Sequence, residues 1–190
     1  MTGTPSGALL ARVAAMAVVV VFLQTGVVSE VPVLGVAIDL TPLVVAFVGL
    51  QCGSVAGAAT GFGIGLLVDL TLVQTLGLTS LIFTVIGYGA GRLRELRDPQ
   101  AALTPLLVGA AAATASLVGY SLMEFLLGVD APVSFELLRQ IVVGVVVDTA
   151  VALPVWVLVR RWLQPSLPED PRRRRRRAYT TGGLSPLSRA

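Results

Sequence analysis

The chain has 190 residues, 55% of them hydrophobic and 13% charged, with a formal net charge of +3. Soluble domains carry about a quarter charged residues, so this composition excludes an ordinary soluble domain and fits a polytopic membrane protein. No histidine is present, every basic residue is arginine, and six of the fourteen arginines form one run, Arg172 to Arg177; this removes the commonest general base and metal ligand and leaves no nucleic-acid-binding stripe.

Met1 to Gly7 reads as a short cytoplasmic start. The first predicted span runs from about Ala8 to Val28, with Arg12 marking its cytoplasmic end. A cleaved signal peptide is the rival reading, but its n-region would hold a single arginine and its apolar run is long; an uncleaved span is expected. Glu30 and Pro32 then break the helix pattern.

From Val33 to Asp69 the chain is almost continuously apolar, interrupted by Asp39 and Pro42. A span needs about 20 residues. Two short, tilted spans divided near Gln51 to Ser54 fit this length, and so does one long span from Thr41 to Val68. Nothing charged lies at the supposed turn, which counts against two. Cys52, the single cysteine, has neither a disulfide partner nor metal-ligand spacing around it.

A glycine ladder opens the central stretch: Gly53, Gly57, Gly61 and Gly65, with Asp69 at the next fourth position. Small residues at this spacing let helix backbones approach closely in lipid. Four residues overshoot one helical turn by about 40°, so Gly61, Gly65 and Asp69 share a side while Gly53 does not. The seam serves either packing within the chain or a partner helix. Asp69 is expected near a helix end, close to water, where Asp69→Asn would keep most of the same hydrogen bonds. The next span, Leu76 to Arg92, carries Ser80, Thr84, Gly87 and Gly91 along one face. Arg92, Arg94 and Arg97 place the loop that follows in the cytoplasm.

Ala101 to Leu127 is the fifth predicted span, with Tyr120 and Glu124 toward its far end. Ser134 is a candidate cap for the sixth, Leu137 to Leu163, and Glu136 suits its first turn. That span contains Asp148 and Pro154 and ends in Trp156, Arg160, Arg161 and Trp162, an interface anchor. Residues 164–190 are rich in Pro, Ser, Gly and Arg and are expected to form a disordered cytoplasmic tail beyond a transmembrane domain of residues 1–163. Its run of Arg172, Arg173, Arg174, Arg175, Arg176 and Arg177 either lies on anionic lipid or adds only topological weight. Six spans put Arg12, the Arg92 to Arg97 loop and the C-terminal arginines all in the cytoplasm; five would not.

Asp39, Glu124 and Asp148 form the candidate intramembrane polar set, with Asp148 deepest. A structural hydrogen bond, a subunit contact and proton translocation all remain open for it. No phosphate-cradling loop, nucleophile elbow or paired catalytic carboxylates can be placed, so no enzyme, cofactor or metal site is expected.

The run GFGIGLLVDL, a short polar turn, then LGLTSLIFTVIGYGAGRL resembles the core of the MreD family of rod shape-determining membrane proteins. The resemblance rests on Gly65 to Leu70, on Leu76 and Gly77, and on Gly87, Tyr88 and Gly91 within Gly87 to Leu93, with Asp39 and Leu40 similar to an acidic start before the second span. It implies an all-α bundle of six transmembrane helices in the bacterial cytoplasmic membrane, with both termini cytoplasmic. It also implies a non-catalytic subunit of the cell-elongation machinery that binds MreC, helps position RodA with its class B penicillin-binding protein, and connects indirectly to MreB. Gly57, Gly61, Gly65, Asp69, Gly77, Gly87, Tyr88 and Gly91 are then its packing or partner-contact residues. MreD is similar in turn to the substrate-binding subunits of energy-coupling-factor vitamin transporters, which gives the alternative function.

Overall fold

A computed structural model describes residues 7–26, 36, 38–72, 76–96, 103–128 and 135–166. The break at Glu30 and Pro32, the Ser134 cap and the arginine run 172–177 lie outside the described residues, as do the side chains of Glu124 and Glu136.

The described residues form six α-helices: α1 (Gly7–Gly26), α2 (Leu40–Cys52), α3 (Ser54–Thr71), α4 (Leu78–Leu96), α5 (Thr104–Leu126) and α6 (Phe135–Leu163), the last followed by a 3-10 turn, Gln164–Ser166. Helices α1, α3, α5 and α6 are long and apolar enough to cross a membrane. The chain is therefore an all-helical polytopic membrane protein.

The apolar stretch before Asp69 is two helices, divided at Gly53, whose φ of 99° an L side chain rarely adopts. The two are unlike each other. At 13 residues α2 is about 20 Å long, short of the roughly 30 Å hydrocarbon layer. Every residue from Thr41 to Gln51 is buried, so α2 is a central post inside the protein. Its apolar side chains, with Phe47 and Leu43 fully enclosed, form the core on which the other helices pack.

Chain direction follows from two polar ties. At the start of α1, the Arg12 guanidinium donates to the Trp162 carbonyl (3.3 Å), and the Trp162 indole N–H donates back to the Arg12 carbonyl (3.2 Å). Near the other end of α1, the Gln24 amide clamps the start of α2, donating to the Ile38 carbonyl (2.7 Å) and accepting from the Leu40 N–H (3.0 Å). Helix α2 thus runs back toward the Arg12 end, α3 away from it, and α4 back again. Arg12, Arg92, Arg94, Arg160 and Arg161 consequently gather at one end of the bundle. Of the tryptophans placed at this end by sequence, only Trp162 sits there. Trp156 packs edge-on against Phe47, ring centroids 5.3 Å apart, inside the core.

Candidate functional site

The glycine ladder builds a backbone-to-backbone helix contact. Helices α3 and α4 run antiparallel, backbone against backbone. A Cβ at Gly57 would meet the Gly87 carbonyl, one at Gly61 the Phe83 carbonyl, one at Gly65 the Ser80 backbone, and one at Gly91 the Ser54 backbone. Only residues without a side chain allow this approach. A fifth member, Gly49 of α2, also abuts Gly87 and Gly91, so three helices meet at Gly49, Gly57 and Gly87. Sequence reading missed Gly49, although it stands one rung before Gly53. It also missed Gly109, which faces Ala152, Leu43 and Phe47.

Two residues grouped with the seam lie elsewhere. Gly77 has a φ of 95° and nothing near its missing Cβ; it makes the turn into α4. Tyr88 is 49% exposed on the outward face of α4, because one position past Gly87 rotates it about 100° from the seam.

Asp69 departs most from expectation. It is fully buried rather than close to water. Its carboxylate accepts the Gly77 N–H on one oxygen (2.8 Å) and the Thr79 N–H on the other (3.2 Å), with the Ser80 hydroxyl at 3.5 Å. The end of α3 thereby caps the start of α4, where unpaired N–H groups and the helix dipole both favour an anion. Both oxygens accept, and an asparagine would turn an NH2 against a backbone N–H. The view that Asn preserves most of these bonds therefore fails.

The opposite end of the hairpin is capped from a distance. Ser54, first residue of α3, donates its hydroxyl to Glu95 (2.7 Å), as does its N–H (3.4 Å). Arg94 donates to the Gln51 carbonyl at the end of α2. The corner at Gly53 carries no charge of its own because α4 supplies one of each sign, the anion to a helix N-terminus and the cation to a C-terminus. Glu95 also pairs with Arg92 at 3.0 Å. The Ser54 hydroxyl, then the Arg92 hydrogen bond, hold the Glu95 carboxyl below its ordinary pKa.

Asp39 and Asp148, 109 residues apart in sequence, come together: the Asp39 N–H donates to Asp148 Oδ1 at 3.1 Å. Asp39 in turn caps α2, accepting the Thr41 N–H (3.0 Å) and the Thr41 hydroxyl (2.5 Å). Across the bundle, Tyr120 of α5 lies beside Thr79, within electrostatic reach of both Asp39 and Asp69, its ring edge-on to Phe83. The result is a polar layer to which each helix contributes: Gln24 from α1, Asp39 and Thr41 at α2, Asp69 from α3, Thr79 and Ser80 from α4, Tyr120 from α5, Asp148 from α6. Sequence reading named three of these groups as separate acids; no local signal joins them. Among the described residues no group of three acid or thiol side chains is placed to hold a metal ion.

Compared with known proteins, residues 8–165 match the family model described as rod shape-determining protein MreD. No curated protein and no solved structure matches the chain.

Proposed function

The chain belongs to the MreD family of rod shape-determining membrane proteins, which are not enzymes, and from that premise we propose that it is a scaffold subunit of the cell-elongation complex, working through helix contacts. The observation that carries this reading is the family match over residues 8–165, which takes in all six helices. The proposed partners are MreC in the membrane, RodA with its class B penicillin-binding protein, and MreB indirectly.

Six crossings are part of the proposal. Helix α4 is 19 residues long and lies against α3 along its length, so it traverses the thickness that α3 does; its last turn carries Arg92, Arg94 and Glu95 into the interface. Helix α2 bridges only part of the layer, inside the protein. The gathered arginines make their end cytoplasmic by the positive-inside bias, with residues 164–190 as a tail on anionic lipid. The glycine seam faces inward, and its proposed role is to hold the hairpin rigid. The outward face of α4, with Tyr88 beside the open Gly89 and Val85, is the proposed partner contact.

The test is a detergent pull-down of the tagged full-length protein with partners identified by mass spectrometry, repeated with Tyr88→Ala. Recovery of MreC, RodA or a penicillin-binding protein is expected, reduced by Tyr88→Ala at unchanged membrane level. Recovery of paired ATPase subunits with a membrane coupling protein would transfer the chain to the vitamin-transporter reading. Recovery of neither set would end the scaffold reading.

A further inference from the structure

The arginines gathered at one end of the bundle are not equivalent. On the α4 side they are spent. Arg92 pairs with Glu95 at 3.0 Å, and Arg94 donates to the Gln51 carbonyl at the end of α2. On the α1–α6 side they are not. Arg12 lends one N–H to the Trp162 carbonyl, a neutral acceptor, and keeps its other donors. Arg160 and Arg161 are exposed and make no hydrogen bond or ion pair with a described residue. Among the described residues the acid at this end is Glu95, which Ser54 and Arg92 already hold. Arg12, Arg160 and Arg161 therefore stand on two neighbouring helices without a counter-charge, offset only in part by the C-terminal carbonyls of α6.

A second observation sets this patch at a boundary between apolar and polar surroundings. The Trp162 indole N–H donates to the Arg12 carbonyl at 3.2 Å, so the ring reaches from α6 to α1, and it remains 48% exposed. A half-exposed indole suits the headgroup level of a membrane. One turn inward from Arg161, on the same face of α6, Val157 and Leu158 are exposed. Beside them α1 exposes the small Ala11, Ala14 and Ala15 near Arg12. Positive charge thus adjoins apolar surface on two helices tied by reciprocal hydrogen bonds. An acidic peptide matches only the charge, whereas a phospholipid matches both.

We propose that the α1–α6 edge at this end binds one anionic phospholipid, with its phosphate among the Arg12, Arg160 and Arg161 guanidiniums and its acyl chains over Val157 and Leu158. Guanidinium groups hold phosphate oxygens through paired, charge-assisted hydrogen bonds. Helix α1 packs on α3 and α2 more than on α6, so a lipid bridging Arg12 and Arg161 reinforces a thin seam and stabilises the bundle. The site lies in the folded bundle, apart from the tail. It depends neither on the partner reading nor on which leaflet this end faces.

The experiment takes the full-length protein in an uncharged detergent and titrates it with phosphatidylglycerol or phosphatidylcholine of matched chains, counting bound lipids by native mass spectrometry. The ionic strength is about 0.5 M, where screening acts within well under 10 Å and diffuse attraction to the arginine run 172–177 is weakened. Retention of one phosphatidylglycerol per chain in preference to phosphatidylcholine is expected, with a rise in Tm. Arg161→Gln and Arg12→Gln should each raise the half-saturating concentration roughly fivefold. Arg92→Gln, which removes the same charge from the same end, should leave it unchanged. Arg161 is exposed, so its variant is read even if Arg12→Gln fails to accumulate. Equal retention of the two lipids overturns the site and leaves the patch to an acidic protein segment. Equal weakening by Arg92→Gln and Arg161→Gln overturns it in favour of diffuse charge. Displacement of the lipid by millimolar inorganic phosphate overturns it in favour of a free anion.

Discussion

The two hairpins of this protein are built on different principles. In α3–α4 the contact is backbone on backbone, and glycine is required at each crossing point. In α5–α6 the contact at Gly144 is made through a flexible side chain: a Cβ there would meet the end of Leu117 at 3.0 Å, while one at Gly109 would meet the fixed Ala152 methyl at 2.6 Å. A side chain tip can turn aside, whereas a carbonyl in a helix cannot. The first hairpin is therefore rigid and intolerant along its length, and the second has room to adjust at Gly144. That difference fits a molecule whose centre is fixed and whose rim is free to meet other helices.

The sharpest break of this comparison is Gly65→Leu, which drives a side chain into the Ser80 backbone and is expected to abolish folded protein, measured by membrane accumulation and size exclusion. Gly89→Leu on the open face of the same hairpin should accumulate normally. Equal loss from both would mean that lipid-facing bulk, not the seam, controls folding.

Next come the matched alanine substitutions. Gly61→Ala sets a methyl on the Phe83 carbonyl and should cost at least about 3 kcal/mol, the upper range for overpacking. Gly144→Ala should cost about 1 kcal/mol, because the Leu117 side chain it meets can change rotamer. Thermal unfolding in detergent gives the order, and a reversal would show that α5–α6 is the rigid pair.

Asp69→Asn removes one acceptor and presents a donor to a buried N–H, a loss of about 1–3 kcal/mol. Asp69→Ala should be worse, since both N–H groups then lack a partner. The smallest effect belongs to the exposed cap at the other end. The Glu95 carboxyl is held below its ordinary pKa, so its contribution is fully present above the usual glutamate range and is lost as pH falls through the lowered value. Ser54→Ala should shrink that acid-side loss of Tm and leave the neutral-pH ordering of the other variants unchanged.

The two ends of the α3–α4 hairpin show what could be read from the chain. Asp69 and Gly77 lie eight residues apart, so an acid, a turn and a helix start are visible together in sequence. Ser54 and Glu95 lie 41 residues apart, and nothing local tells that α4 supplies the charge the Gly53 corner lacks. The same holds for Asp39 and Asp148. Each was visible as an acid in an apolar run, while their contact exists only because Gln24 and Asp148 hold the start of α2 from two sides.

The sequence by itself determined that the protein lives in a membrane, that the chain turns after Asp69, and that a glycine ladder runs through its centre, while a break near Gly53 stood beside one long span. These follow from composition and from local spacing, since hydropathy and backbone freedom act residue by residue. Only the tertiary structure decided that α2 is a buried post, that Asp69 is sealed from water, that Tyr88 faces outward, and that six helices pool their polar groups in one layer. Burial and pairing depend on what arrives from distant parts of the chain, and a single stretch of sequence does not carry that information.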